Sequence, residues 1–176
     1  MKLTLITLLL CCSFPVHAVS LYGVELQTAK RGQLRSAVKN AGLKLQKETG
    51  KDGFFDRYKS DSAISVSSSL YLGFVKKTQN FAFAEYEFKG LKQPGMMLHL
   101  QQKYGKPSLV KARFVSDQSY SWSQGDITIH LYQDWAAYRT RLSYINGAAL
   151  NVLHNERRTL QTQKNMKKIL ISEQSY

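Results

Sequence analysis

The feature that most constrains this chain is a change of hydrophobic period that occurs twice, about 60 residues apart. In the first instance Leu34, Ala37, Val38 and Ala41 recur at helical spacing within Thr28–Gly42, with Thr28 and Gly42 suited to the two ends. The pattern then becomes alternating. Phe54 to Tyr58 reads as a short strand, Ile64 to Phe74 as a half-buried one with Ile64, Val66, Leu70, Leu72 and Phe74 inward, and Phe81 to Phe88 as a third. The second instance opens at Pro94, which fits a first helical turn. Met97, Leu100 and Tyr104 share a face, Gly105 ends the helix, and Pro107 prevents its resumption. Strands are expected at 109–115, 119–122 (with Tyr120 and Trp122 on one face), 126–132 (with Ile127, Ile129 and Leu131 inward) and 139–145. Gln124-Gly125-Asp126 makes the turn between the middle two.

Matching the two copies pairs Gly42 with Gly105, Tyr58 with Trp122, Leu70 with Ile127 and Tyr86 with Tyr144. Shared order without shared identity points to a structural repeat. The expected class is therefore α+β: two tandem units, each a helix followed by three to four antiparallel strands, over 19–92 and 93–146. The segment 147–176 is expected to add a C-terminal helix through Ala149, Val152, Leu153 and Leu160. It should then fray into a basic tail carrying Arg157, Arg158, Lys164, Lys167 and Lys168.

This tandem helix-plus-meander pattern resembles the secreted β-lactamase-inhibitor proteins. Its single unit resembles the small lipoprotein of the outer-membrane β-barrel assembly machine. The phrase Lys103-Tyr104-Gly105-Lys106-Pro107 ahead of a Trp-containing strand is similar to that of uncharacterised exported proteins of the same shape. The resemblance spans Val24 to Ile145. It implies a fold class and a compartment, and it assigns no functional residue.

Residues 1–18 read as a signal peptide. Lys2 supplies the positive start, and Leu3–Cys12 an apolar stretch shorter than the roughly 20 residues a bilayer span needs. Pro15 then breaks the helix, and Val16-His17-Ala18 offers the small residues a signal peptidase reads. Cleavage between Ala18 and Val19 is the expectation, with a periplasmic destination; a retained N-terminal helix or lipid attachment at Cys12 are the alternatives. Both cysteines fall in this segment, so the processed chain has no disulfide, thiol nucleophile or cysteine-ligated metal.

The formal charge of +13 is spread along the chain, not gathered in a tail. An even positive field suits solubility, and equally an acidic protein, polymer, lipid headgroup or DNA. Catalytic signatures are scarce: His99, His130 and His154 are far apart in sequence, and no metal-ligand spacing, nucleophile elbow or phosphate loop is present. Asp126, His130 and Asp134 alternate on one strand face, as do Glu85 and Glu87. Both patterns fit an ordinary solvated strand better than an acid/base pair. No cofactor and no metal is expected.

Two surfaces suit binding. Arg31, Arg35 and Lys39 form a basic stripe along the first helix. Lys111, Arg113, His130, Tyr132 and Arg141 mix cation and aromatic on an open sheet face. The leading expectation is a non-enzymatic periplasmic interaction protein: an inhibitor, an immunity-type protein or an envelope-assembly accessory, with a cell-envelope protein as partner. The alternatives are a binder of an acidic envelope polymer, lipid or DNA, a sensor or small-molecule carrier, and an unrecognised hydrolase.

Overall fold

A computed structural model describes residues 18–48, 54–60, 67–90, 92–110 and 119–173. A small hairpin, β1 (Ser20–Leu21) and β2 (Val24–Glu25), precedes helix α1 (Arg31–Asn40). Strands β3 (Leu43–Glu48), β4 (Phe55–Ser60), β5 (Ser67–Phe74) and β6 (Phe81–Lys89) follow, then α2 (Gln93–Tyr104). Next come β7 (Ser108–Val110), β8 (Ser119–Gln124), β9 (Ile127–Asp134) and β10 (Arg139–Asn146), and finally α3 (Gly147–Glu173). The fold is α+β. Strands β3 to β10 form one antiparallel sheet in the order β3-β4-β5-β6-β10-β9-β8-β7, so β6 and β10 meet at its centre.

Helices α1 and α2 share one face of this sheet. Leu34 and Val38 of α1, and Leu100 and Tyr104 of α2, join a single core with Leu70, Leu72, Phe74, Ile127, Ile129 and Leu131. Each fully buried aliphatic side chain stabilises such a core by roughly 1.5–3 kcal/mol. Trp122 is buried in the same core, and its Nε1–H donates to the Gly105 carbonyl at 2.8 Å. That bond ties β8 to the end of α2. Gly42 and Gly105 both have φ of 83°, the left-handed conformation that ends a helix cheaply only at glycine.

The inward positions of β5, β8 and β9 are those the alternation predicts wherever they are described. Ile64, Val66 and 111–115 lie outside the described residues. Other features differ from the sequence reading. Thr28 does not cap α1. Lys30 occupies that position, and its N–H donates to Gln33 Oε1 at 2.9 Å. Ala41 is exposed at the helix end and adds nothing to the buried face. Strand β3 was not foreseen, because Leu-Lys-Leu-Gln-Lys-Glu carries strong helix formers. As an edge strand it is rich in lysine, which discourages pairing with other chains.

The expected basic tail is also corrected, since α3 continues as helix to Glu173. Once the first turns are fixed on the sheet, adding residues such as Gln, Lys and Met costs little, so the helix propagates. Helix α3 packs on the opposite sheet face, where Leu153 joins Phe54, Val75 and Ala82, flanked by Phe55, Phe83, Ala149 and Leu160. A β-carbon on Gly73 would lie 2.0 Å from the Phe83 ring, so glycine is what lets that ring lie across β5 beneath the helix. Among the described residues no helix is long and apolar enough to cross a membrane.

Candidate functional site

The strand register arranges the sheet face opposite α1 and α2 into rows. Phe55, Gly73, Phe83, Ile145, Thr128 and Ser123 form the row nearest α3. The next runs Arg57, Tyr71, Glu85, Ser143, His130 and Ser121. Then come Ser69, Glu87, Arg141, Tyr132 and Ser119, and last Lys89, Arg139 and Asp134. Only the first row is apolar at its centre, and that is where α3 sits. The other rows carry polar, charged and aromatic side chains, most of them half-buried by their neighbours.

Contacts within the rows hold these groups in place. Glu87 accepts from Arg139 Nη1 at 2.7 Å and lies 3.8 Å from Arg141 Nη2. Ser143 Oγ donates to Glu85 at 3.4 Å. The Arg57 guanidinium stands 5.5 Å over the Tyr71 ring, and its Nη2 donates to Ser69 Oγ at 3.3 Å. The Nε–H groups of Arg57 and Arg141 are shielded from solvent with no hydrogen-bond partner. Such donors gain from any acceptor brought to them.

His130, Tyr132 and Arg141 thus share one face, adjacent across β9 and β10. Lys111 and Arg113 lie outside the described residues. The segment expected to be a signal peptide does too, up to residue 17; Ala18 is exposed, while Val19 is buried and its carbonyl accepts from the Leu26 N–H at 2.9 Å.

The basic stripe on α1 is not one solvated surface. Arg31 and Arg35 turn toward the sheet and grip Asp56 of β4. Arg31 Nη2 reaches Oδ1 at 2.8 Å, Arg35 Nε reaches Oδ2 at 2.8 Å, and each arginine makes a second bond to the same carboxylate. Arg31 also lies 5.6 Å over the Phe74 ring. Asp56 has no exposed surface, and burial alone would raise its pKa; the bonds and charges of Arg35 and Arg31 outweigh that and hold it below the ordinary carboxylate value. Burial, reinforced by the Asp56 charge, pushes the Tyr58 hydroxyl up to about 12. Lys39 alone remains exposed, beside the C-terminal end of α1 where a cation is favoured.

No acid/base constellation forms from the sequence candidates. Asp126 sits in the β8–β9 turn and accepts from Gln27. Asp134 Oδ1 accepts from the Ala137 N–H at the far end of β9. Four residues along a strand separate each from His130 by about 13 Å. Glu85 and Glu87 do share the open face, each already engaged by a partner. His99 and His154 are exposed on separate helices. Among the described residues no cluster of three or more His, Cys, Asp or Glu could hold a metal. A groove between α3 and the β5–β6 turn is lined in part by Val152, Glu156 and Leu160. There the Glu156 carboxylate accepts the Lys76 and Lys77 N–H groups, which makes it a latch.

No family model matches the chain, and no curated protein does. A solved structure similar to it is that of a DUF4309 family protein, YjgB, from Bacillus subtilis subsp. subtilis str. 168. The two are 14% identical with a TM-score of 0.46, covering 73% of this chain and 87% of that one.

Residues missed by the sequence reading cluster at the β9–β10 connection. Trp135 and Tyr138 are 51% and 64% exposed. Their signal was legible: the connection between two strands reads Trp-Ala-Ala-Tyr, where turns are ordinarily polar.

Proposed function

We propose that the protein is an exported, periplasmic, non-enzymatic interaction module that meets a cell-envelope protein through its open sheet face. The observation that carries this reading is the contrast between the two sides of the sheet. One side is consumed by the core, while the other presents ordered rows of carboxylate, guanidinium, imidazole and phenol with two buried arginine N–H groups left to satisfy. Mixed charge with Tyr and Arg is the composition from which binding hot spots are built. Export rests on the features of residues 1–18 given above.

The register also supports descent from a duplicated helix-and-meander unit. The row Tyr58–Leu70–Tyr86 in one half answers Trp122–Ile129–Tyr144 in the other. This moves the partner of Leu70 from Ile127 to Ile129. A duplicated sheet-presenting unit fits the resemblance to the β-lactamase-inhibitor proteins.

Photo-crosslinking residues placed at Tyr132 and Ser121 on the open face, and at Gln102 on α2 as control, test the assignment in living cells. A discrete protein adduct from the face positions, absent from the helix position, is the expected result. Equal labelling from both sides, or none from the face, would overturn it.

A further inference from the structure

The β9–β10 connection breaks the usual chemistry of a hairpin. Trp135, Ala136, Ala137 and Tyr138 are all exposed, and none is a turn former. Tyr138 adopts a φ of 50°, a left-handed conformation that Gly or Asn would adopt with less strain. Local folding thus disfavours tyrosine at this position, and its ring contributes little to the core.

The tip is nevertheless firmly built. Asp134 Oδ1 accepts the Ala137 N–H at 2.9 Å, and the Gly90 N–H donates to the Tyr138 carbonyl at 2.9 Å. The Tyr138 ring and the Lys92 stem converge on Gly90, 3.7 and 3.8 Å from where its β-carbon would stand. Lys89 and Arg139 are cross-strand partners beside them, both exposed. The carboxylates at hand are occupied, Asp134 in the turn and Glu87 with Arg139 and Arg141. Two exposed aromatic rings are therefore carried on a hydrogen-bonded turn, with Lys89 and Lys92 leaving a net positive charge beside them.

We propose that this tip docks the protein onto an anionic lipid bilayer, with Trp135 and Tyr138 seated at headgroup level and Lys89, Lys92 and Arg139 against lipid phosphates. Trp and Tyr favour the membrane–water interface because their rings are apolar with one polar atom. Cations near the surface add attraction that salt screens. A protein partner fits the tip less well, since a specific interface buries about 800 Å² on each side, more than a four-residue turn offers. A bilayer needs only the tip, and the positive charge spread along the chain draws the whole molecule toward it.

The two tryptophans make the test direct, because Trp122 is 3% exposed and Trp135 is open to water. Protein recovered from expression of the full chain is titrated with vesicles of phosphatidylcholine alone or mixed with phosphatidylglycerol. The expected result is a blue shift of tryptophan emission with the anionic vesicles, absent in Trp135→Phe. Trp135→Ala with Tyr138→Asn should lower vesicle affinity at least about tenfold. Lys89→Gln with Lys92→Gln should lower it about thirtyfold for anionic vesicles only, at low salt. Unshifted wild-type emission, or wild-type affinity in the Trp135/Tyr138 variant, would overturn the proposal. So would a shift produced by envelope proteins but not by vesicles.

Discussion

Two carboxylates on opposite faces of the same sheet each hold a pair of arginines. On the helix side Asp56 is fully buried and chelated by Arg31 and Arg35. On the open side Glu87 is 14% exposed and holds Arg139 and Arg141 less evenly, at 2.7 and 3.8 Å. The chemistry is alike and the surroundings are not. Losing one partner of a buried network leaves charges that water cannot reach, whereas a surface network is re-solvated when broken. The first network fastens α1 to β4; the second keeps charged groups ordered where another molecule can exchange contacts with them.

The sharpest way to break the comparison is Asp56→Ala. It should cost about 3 kcal/mol in urea denaturation, because Arg31, 10% exposed, keeps its charge in place largely out of water, while Arg35, 34% exposed, regains water. Replacing the trio together, Asp56→Leu with Arg31→Met and Arg35→Met, should recover most of that loss. If the single change is as mild as a surface substitution, the network is not structural. The same site predicts an acid response. The Asp56 pKa is lowered on folding, so its contribution is complete above the ordinary value of 3.8 and drains away as pH falls below it. Melting curves of wild type and Asp56→Asn should therefore differ by a constant amount down to about pH 4 and converge in stronger acid.

Gly73→Ala probes the part of the open face that α3 covers. The new methyl group meets the Phe83 ring and forces it against the helix, for a loss of about 1–3 kcal/mol. A neutral result would mean the ring has room to swing away. Glu87→Gln should cost less than about 1 kcal/mol, and less again in high salt. Lys39→Gln on α1 should be smaller still, in contrast to any change at Arg31 or Arg35.

Core strands were legible in the sequence because burial on one side writes itself as alternation, as in Ile127, Ile129 and Leu131. The helix ends at Gly42 and Gly105 were legible because only glycine suits that backbone. Strand β3 was not, since Leu43 and Leu45 at an edge among lysines look the same in a helix. Nor could spacing show that Arg31 and Arg35 face inward. Their target, Asp56, lies 25 and 21 residues away on strand β4, and a basic stripe reads the same whether it meets water or a buried carboxylate. For the open face, the period placed His130 and Tyr132 on one side of β9. The partners that order that side, Glu85 and Glu87, come from the other half of the chain, and pairing that distant leaves no local trace.

The pairing of β6 with β10 bears on how a growing chain reaches this fold. The residues brought together at the Glu85–Ser143 contact are 58 positions apart, and all of α2, β7, β8 and β9 lies between them. Until β10 emerges, β6 is a nine-residue strand with one edge bare. A naked edge is a template for any complementary strand, and long-range pairing is slow to form. Two chains that meet at that stage can trade final strands, β10 of one settling on β6 of the other. Every contact of the monomer would then be remade within an intertwined dimer.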